Sequence, residues 1–313
     1  MKKIFYLLIP VLVALGLFLF YRGDNDNLTA SGAEIVNYEE GQIIAKNEHY
    51  YRKFDHKTPD NLFVVQDFYT GFNSKLTDPF TITRVDQLTK IPSIVISDGM
   101  FYRGLTIFGI LRMWTKEGLP IEEMHFSNGK VTGLYMKWYP NGKKMCERSY
   151  KANIANGIWY EWYESGQLKV EGNYEHAKKQ GLWRERFADG AIALEDNYSD
   201  DILNGYHVFY NKDHVKREEG NYVAGQREGA WFLADDSNVY TSQGSFENGK
   251  KNGLWIDYYK GIKATEGHYL NGQKDGLWTY WYSQDAKLKE EVYKEGVKVS
   301  EKKLMPDKPS EAQ

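Results

Sequence analysis

Glycine recurs at a nearly constant spacing through the second part of this chain, and this periodicity constrains the fold more than any other feature. The spacing is 24 residues, except for one interval of 23 between Gly253 and Gly276. The fifteenth residue of a copy is Glu in seven of eight copies, and the eighteenth is aromatic in all eight. The copies begin at Gly109, Gly133, Gly157, Gly181, Gly205, Gly229, Gly253 and Gly276. Chance does not maintain this register, so residues 109–299 are a repeat array.

One copy, Gly157–Gln180, shows what each unit folds into. Two runs of alternating residues, Ile158–Tyr163 and Gln167–Tyr174, flank a break at Gly166. Two such runs around a glycine-containing turn predict a β-hairpin. A hairpin cannot bury its faces alone, so the copies must join edge to edge. The predicted fold is all-β: an elongated single-layer antiparallel meander of tandem hairpins, preceded by one N-terminal transmembrane helix.

A second glycine, Gly172, lies in the second predicted strand of the same copy. It shares a face with Val170 and Tyr174 and recurs as Gly220, Gly244 and Gly267. Bare backbone in a strand leaves room for a neighbouring aromatic ring to lie across it. We therefore expect an indole from a neighbouring copy to cover each of these glycines.

The recurring pattern G-x-W-x-x-W/Y-Y-x-x-G-x-x-x-x-E-x-x-Y-x-x-G resembles the MORN repeat, in the bacterial variant of the YwqK antitoxin family. Good examples are Gly133–Asn156, Gly157–Gln180 and Gly253–Asp275. The resemblance covers about three-fifths of the chain and implies an interaction or membrane-association module, with toxin neutralisation suggested by the variant. Two copies depart from the pattern: His207 replaces Trp in one, and Ala234 and Asp235 replace aromatics in the next. We expect these two copies to twist or bulge the sheet.

The N-terminus carries an apolar segment, Ile4–Phe20, preceded by Lys2 and Lys3. Its length is near the lower limit for crossing a bilayer, and bulky residues occupy the place where a signal-peptide cleavage site is expected. Residues 1–22 are therefore predicted to be a membrane anchor, the alternative being a cleaved signal. The charge bias keeps the two lysines in the cytoplasm. The expected location is a bacterial inner membrane, single-pass, with the repeats facing the periplasm, or export after cleavage.

Three further segments complete the organisation. Residues 23–33 are small and polar and are predicted to be a linker. Residues 34–108 lack the 24-residue register and are predicted to form an irregular β-containing cap, within which residues 61–80 are typical of a degenerate hairpin. Residues 300–313 are charged, contain two prolines and are predicted to be a disordered tail.

No residue pattern in the chain predicts catalysis or a cofactor. The repeated Glu residues lie two strands apart, about 9.5 Å, too far to share a metal ion, so pairing with Lys or Arg is expected instead. Cys146, the only cysteine, is interpreted as a buried small hydrophobe, and His207 and His214 as surface residues. No catalytic or metal motif occurs in a suitable context, and the net charge of −3 does not favour nucleic acid.

Tryptophan forms two columns along the array, at the third and sixth positions of the copies. Because these positions differ by an odd number within one strand, they face opposite sides of the sheet. Large exposed aromatic surfaces mark partner or membrane contacts, whereas rings that stack on one another do not. The candidate partner-binding residues are Trp138, Trp162, Trp159, Trp183, Trp255, Trp278 and Trp281.

These features predict a non-enzymatic, membrane-tethered repeat protein that binds a protein partner. The family resemblance implies an antitoxin or immunity protein that neutralises a toxin or secreted effector. The alternative is a structural envelope scaffold that binds lipid or glycan directly. A third alternative, an enzyme with its site in residues 34–108, has no readable nucleophile, base or metal set.

Overall fold

A computed structural model describes residues 37–92 and 102–305, and its strands follow one another in a simple meander. Within these ranges, 21 strands form one sheet in which each strand pairs antiparallel with the next strand in sequence. The prediction of an all-β antiparallel meander of hairpins is confirmed. The described residues from Tyr38 onward belong to one compact unit.

Four strands precede the repeat array and continue into it without a break in pairing. They are β1 (Ile43–Lys46), β2 (Tyr50–Lys57), β3 (Phe63–Tyr69) and β4 (Phe80–Ile82). Short 3-10 helices follow at Val85–Gln87 and Tyr102–Gly104. β3 lies in the segment predicted to be a degenerate hairpin, but its partner β4 begins only at Phe80, and residues between them form isolated bridges, Lys75 to Phe68 and Thr77 to Met113.

The array contributes two strands from each copy and a final strand after the last one. These are β5 (Ile107–Trp114), β6 (Pro120–Ser127), β7 (Lys130–Trp138), β8 (Lys144–Lys151), β9 (Ile154–Trp162), β10 (Leu168–Glu175), β11 (Lys178–Arg186), β12 (Ile192–Ser199), β13 (Ile202–Tyr210), β14 (Lys216–Val223), β15 (Gln226–Ala234), β16 (Tyr240–Glu247), β17 (Lys250–Tyr259), β18 (Ile262–Leu270), β19 (Gln273–Ser283), β20 (Ala286–Lys294) and β21 (Val297–Lys303).

The first glycine of each copy lies inside a strand and not at its start. The residues before it form the first part of that strand, as in β11, which begins at Lys178, three residues before Gly181. Gly157 itself has φ of +109° and sits where the pairing with β8 shifts register. A Cβ there would lie 2.8 Å from the Cβ of Ser149, so glycine is required both by the backbone angle and by space.

The chain turns from one copy to the next through two residues, both with positive φ. Asn248 (φ 49°) and Gly249 (φ 74°) are typical. Two successive residues of positive φ are the mark of the type I′ turn, whose twist matches that of the flanking strands. The turns inside most copies are longer, as in Tyr163–Gln167, where Gly166 has φ of +94°.

The copy of 23 residues is explained by its internal turn. Between β17 and β18 only Lys260 (φ 49°) and Gly261 (φ 76°) remain outside the strands. The missing residue is therefore removed at the loop edge of the sheet. Trp255 still pairs with Gly267 as Trp231 pairs with Gly244 in the preceding copy, so the pairing of the strands is undisturbed.

The largest hydrophobic core lies at the N-terminal end and extends into the first two copies. Tyr50, Val65, Leu76 and Ile82 are almost fully buried there, together with Leu111 of the first copy. The core also encloses charge: Arg52 donates two hydrogen bonds to Asp67, at 2.6 and 2.7 Å, and Tyr102 donates another to the same carboxylate at 2.6 Å. These bonds satisfy the buried carboxylate, as burial of charge demands.

The edges of the chain differ from expectation at one place. β21 continues to Lys303, so residues 300–303, predicted to be tail, belong to the sheet. The reason is that Lys298, Ser300 and Lys302 alternate with their neighbours and pair with β20. Residues 306–313, the predicted anchor and the predicted linker lie outside the described residues. No helix in the described ranges has the length and apolar character needed to span a bilayer.

The two divergent copies do not distort the sheet as expected. The copy beginning at Gly205 has the same register shift as other copies, between Phe209 and Tyr210. In the copy beginning at Gly229, β15 and β16 pair without any shift from Gly229 to Ala234. The small Ala234 replaces the bulky side chain found at this position elsewhere, so this hairpin is the regular one.

Candidate partner-binding face

One face of the array, here called the ladder face, carries the third and eighteenth residues of each copy. Their rings alternate along the sheet with centroids 4.9 Å apart for Trp159 and Tyr174 and 5.0 Å for Tyr174 and Trp183. The same alternation continues from Tyr222 to Tyr293. Most pairs meet edge to face, the geometry that aromatic quadrupoles favour.

The predicted contact between indole and bare backbone is confirmed in four copies. A Cβ built on Gly244 would lie 2.3 Å from the indole of Trp255, and Gly172, Gly220 and Gly267 are covered in the same way. Each covering indole also donates a hydrogen bond to a main-chain carbonyl of the preceding copy, as Trp255 does to Ser245 at 2.9 Å. The ring is therefore fixed by contact on its face and by a bond at its edge.

Basic side chains of the same chain cover the rings from the solvent side. Lys251 Nζ lies 3.8 Å from the ring centre of Trp255, and Lys274 Nζ lies 3.9 Å from that of Trp278. Burial lowers the pKa of both lysines, with nearby carboxylates opposing the effect. Arg227 and Lys179 take the equivalent places over Trp231 and Trp183. Lys and Arg side chains of the chain itself thus lie over these four indole rings in cation–π contacts.

Where the sixteenth residue is not glycine, its contact with the third residue of the following copy is of another kind. Arg148 lies 4.2 Å from the ring centre of Trp159, a cation–π contact in place of bare backbone. Asp196 meets His207, whose Nδ1 lies 2.6 Å from a carboxylate oxygen. His207 is only 8% exposed, so its interpretation as a surface residue is wrong: it occupies the indole's place in the ladder. His214 is exposed, as predicted.

The ladder ends at Glu291, the sixteenth residue of the last copy. Its carboxylate accepts bonds from Lys289 and Tyr293, each at 2.7 Å, and from Lys298 at 3.2 Å. Burial by itself raises the pKa of Glu291, but these bonds outweigh it and hold the pKa well below its ordinary value. At the position where four other copies have a glycine covered by the next indole, the last copy therefore has a buried carboxylate whose hydrogen bonds are satisfied.

The opposite side, here called the open face, carries the second, fourth, sixth and fifteenth residues of each copy. The second position is mostly aliphatic; it is exposed at Leu182 (37%), Leu254 (47%) and Leu277 (52%) and half-buried at Leu134 and Ile158. Tyr160 and Trp162 pack on one another beside this column, with centroids 5.8 Å apart. Apolar surface in a continuous column on one face is characteristic of an interaction surface.

The repeated Glu residues lie on the open face and pair with basic side chains, as the sequence predicts. Glu195 bonds Arg184 across the strands at 2.5 Å, and Glu123 bonds Arg112 at 2.6 Å. In other copies the partner is a Lys three residues earlier, as for Glu147 and Lys144 at 2.5 Å. Nowhere in the described ranges do three or more His, Cys, Asp or Glu side chains come together as a metal site.

The seven tryptophans proposed from the sequence fall into two groups. Trp183, Trp255 and Trp278 are 6%, 1% and 1% exposed on the ladder face and offer a partner almost no area. Trp159 is partly exposed on the same face. Trp138, Trp162 and Trp281 lie on the open face and are partly exposed, with Lys144 over Trp162 and Lys263 over Trp281. Among the seven, only these three lie beside the exposed aliphatic column.

Sequence reasoning missed the aliphatic column itself. The residue after each repeat glycine is apolar in every copy, and the signal was readable as Ile, Leu, Ile, Leu, Tyr, Ala, Leu and Leu. Aromatic residues dominate the pattern, so the aliphatic position does not stand out in the sequence. In the sixth copy this position is Ala230, and a hollow of about 540 Å³ opens on the sheet there.

Cys146 is buried in the N-terminal core, as predicted, at 3% exposure. Burial raises the pKa of its thiol, partly offset by Arg148, so the thiolate form is disfavoured.

No protein-family model matches this chain, and no curated protein gives a significant match. The resemblance to the MORN repeat therefore remains a prediction from the sequence.

Proposed function

We propose that this chain is a non-enzymatic binding protein that holds a protein partner against the open face of its repeat sheet. The supporting observation is the contrast between the two faces. On the ladder face the indoles of Trp183, Trp255 and Trp278 are buried, and each has a lysine of the chain over its ring. On the open face, Leu182, Leu254 and Leu277 are exposed. Exposed leucines that recur on one face add up to a larger apolar surface than scattered ones, and this favours a docking surface.

The proposal includes a tether and a role. The apolar N-terminal segment would anchor the chain in the membrane and place the repeats in the periplasm. There the chain would act as an antitoxin-like or immunity protein, occupying a surface of a toxin or secreted effector. The role rests on the resemblance to the MORN variant, and the choice of face rests on the geometry.

The test compares three forms of the full-length chain, each tagged and recovered from its native membrane after cross-linking. The column variant carries Leu182→Lys, Leu254→Lys and Leu277→Lys. The control carries Ser127→Lys, Ser199→Lys and Gln273→Lys, which add the same charge at turn-edge positions where other copies already have Lys. We expect a protein bound by the wild type and by the control to be reduced at least tenfold with the column variant.

Two outcomes would contradict the proposal. One is a set of bound proteins that is the same for all three forms. The other is the absence of any bound protein, together with sedimentation of the wild type with liposomes or peptidoglycan that the column variant loses. The second result would assign the open face to lipid or glycan instead.

A further inference from the structure

The hollow at the sixth copy marks an interruption in the aliphatic column. Tyr206 pairs with Asn221, and Ala230 pairs with Ser245, with a register shift between these two pairs and another between Ser245 and the strand that carries Leu254. All five residues line the hollow. Tyr206 and Leu254 are bulky and stand about 19 Å apart, four strands at the usual spacing. Between them Ala230 occupies a position that holds Leu or another bulky residue in every other copy. The hollow lies over this smaller side chain and is open to solvent.

The lining of the hollow carries little net charge. In four other copies a Lys at the twelfth position pairs with the Glu at the fifteenth, whereas here these two residues are Tyr240 and Gln243. The one carboxylate in the lining, Glu219, is bonded by Lys216 at 2.5 Å and by Tyr206 at 3.0 Å. Burial, followed by the bond to Glu219, raises the pKa of Tyr206 to about 12, so its phenol stays neutral. A charged group would find no opposite charge here that is not already paired.

Two amide side chains border the hollow with their hydrogen-bonding groups unused. Within the described residues, no hydrogen bond is formed by the side chains of Asn221 and Gln243. In contrast, Asn197, at the position of Asn221 two strands away, donates to the carbonyl of Tyr206 at 3.0 Å. An amide both donates and accepts, which matches the main chain of an extended peptide. Phe232, Leu254 and Ile256 supply the apolar part of the lining.

We propose that the hollow over Ala230 receives one uncharged, apolar side chain of the protein partner, with its flanking main chain bonded by Asn221 and Gln243. This inference rests on the proposed function and adds the point of closest engagement. A buried apolar anchor in a pocket, surrounded by surface that excludes water, is the arrangement that carries most of the energy in protein interfaces. The neutral lining excludes a Lys, Arg, Asp or Glu anchor, because such a side chain would be desolvated without a counter-charge.

The decisive variant fills the hollow without disturbing the sheet. Ala230→Leu restores the residue that Leu134, Leu182, Leu254 and Leu277 supply at the same position, so folding should be unaffected. The matched control is Ala155→Leu, which adds the same atoms on the ladder face at a position where another copy has Leu203. In the cross-linking experiment above, we expect Ala230→Leu to reduce recovery of the partner at least tenfold and Ala155→Leu to leave it unchanged. Equal recovery with both variants would overturn the inference while leaving the proposed function standing.

A second measurement reads the chemistry of the hollow without the partner. In full-length Ala230→Cys, the new thiol is equilibrated with equal amounts of the symmetrical disulfides of 2-phenylethanethiol, cysteamine and 1-thioglucose. Exchange joins one of the three groups to the cysteine and releases the other half of the disulfide as a thiol. The adducts are measured by intact mass. Cys146 is buried and should remain unmodified. Relative to a Ser237→Cys control at an exposed turn, we expect the phenylethyl adduct to be favoured at least fivefold over cysteamine. A preference for thioglucose would assign the hollow to a glycan, and no preference would show that it selects nothing; either result overturns the inference.

Discussion

The N-terminal region, residues 38–92 and 102–106, and the array that follows it are parts of one sheet stabilised in different ways. In the N-terminal region the contacts join distant parts of the chain: Arg52 donates to the carbonyl of Leu88, and Tyr69 to the carbonyl of Trp114. In the array, a ring such as Trp255 contacts Gly244 and Phe246 of the preceding copy and Tyr269 of its own. The first arrangement should unfold as a unit, whereas the second should behave as a sum of neighbour interactions.

The comparison also separates stability from binding. The N-terminal region buries most of its large apolar residues in one core, and the exposed ones, Ile43, Phe72 and Val85, do not form a repeated column. The array buries one face and leaves aliphatic residues exposed on the other. A chain that stabilises each copy through one face is free to use the other face for recognition, and this freedom is the physical basis of the proposed function.

The largest effect should come from breaking the buried ion pair of the N-terminal region. Asp67→Ala leaves Arg52 buried and unpaired, which should cost about 3–5 kcal/mol. Hydrogen exchange should rise throughout β1–β5 and remain unchanged in the copies after Gly205. Asp86→Ala, which removes an exposed partner of Arg84, is the control and should cost less than about 1 kcal/mol. Exchange that rises along the whole array would show that the two regions unfold together.

The next effect is local to the array. Gly244→Ala places a Cβ where the indole of Trp255 lies, so the ring must move at a cost of about 3 kcal/mol. We expect faster hydrogen exchange in β15–β18 only. Gly104→Ala, where no atom lies within 4 Å of the added carbon, should be close to neutral. Loss of protection in the N-terminal strands would contradict the neighbour-only description.

The pH dependence of the array should be concentrated at its C-terminal end. Because the pKa of Glu291 is lowered by folding, the unfolded chain takes up the proton first. The stabilisation is therefore present above the ordinary pKa of about 4.5 and is lost as pH falls below it. Glu291→Gln should cost about 2 kcal/mol at pH 7 and progressively less below pH 4.5, measured by denaturant unfolding. A difference that does not change with pH would contradict this.

A smaller effect tests whether neighbouring copies are matched in pairs. Asp196→Gly and His207→Trp, each alone, should destabilise the junction, whereas together they recreate the glycine–indole contact of other copies. The coupling between the two changes should be about 1 kcal/mol or more in a double-mutant cycle of unfolding free energies. If the two single effects add, the two positions are not energetically coupled, which would contradict the prediction.

The smallest effect should be at the exposed ion pairs of the open face. Lys263→Ala removes a 2.6 Å bond to Glu266 and the cation over Trp281, both partly exposed. The expected cost is about 0.5 kcal/mol, decreasing with added salt. Ser199→Ala gives the baseline for a solvent-facing change. A cost above about 2 kcal/mol would mean that this face contributes to stability as much as the ladder does.

Much of the fold can be predicted from the sequence because the repeat fixes which residues occupy equivalent positions in successive hairpins. The period, the alternation in Ile158–Tyr163 and the recurring Gly172 position predict hairpins, faces and the indole contact. The strand bounds are less accurate, since a polar run such as Lys178–Gln180 looks like a turn until its pairing with β10 is known. The N-terminal region has no period, so the sequence locates only the first strand of the hairpin predicted at residues 61–80.

The candidate site was predicted only in part. A tryptophan is apolar whether it faces solvent or its neighbour, so the sequence does not distinguish Trp255 in the ladder from Trp162 on the open face. The difference depends on which neighbour each ring meets: a buried ladder indole lies across a strand glycine of the preceding copy, and Trp162 does not. His207 was misread for a related reason: its partner Asp196 belongs to the previous copy, 11 residues away.

The matched pairs in the ladder determine which segment of the chain can be duplicated or deleted without breaking a contact. Asp196 and His207 belong to different copies when copies are counted from their first glycine, yet each requires the other. Duplication or loss of one glycine-to-glycine segment by recombination would place His207 opposite a glycine, or Asp196 opposite a tryptophan. A crossover between the third and sixteenth residues of a copy would keep each pair together. The unit that can be exchanged is therefore offset by about half a copy from the glycine-to-glycine unit seen in the sequence.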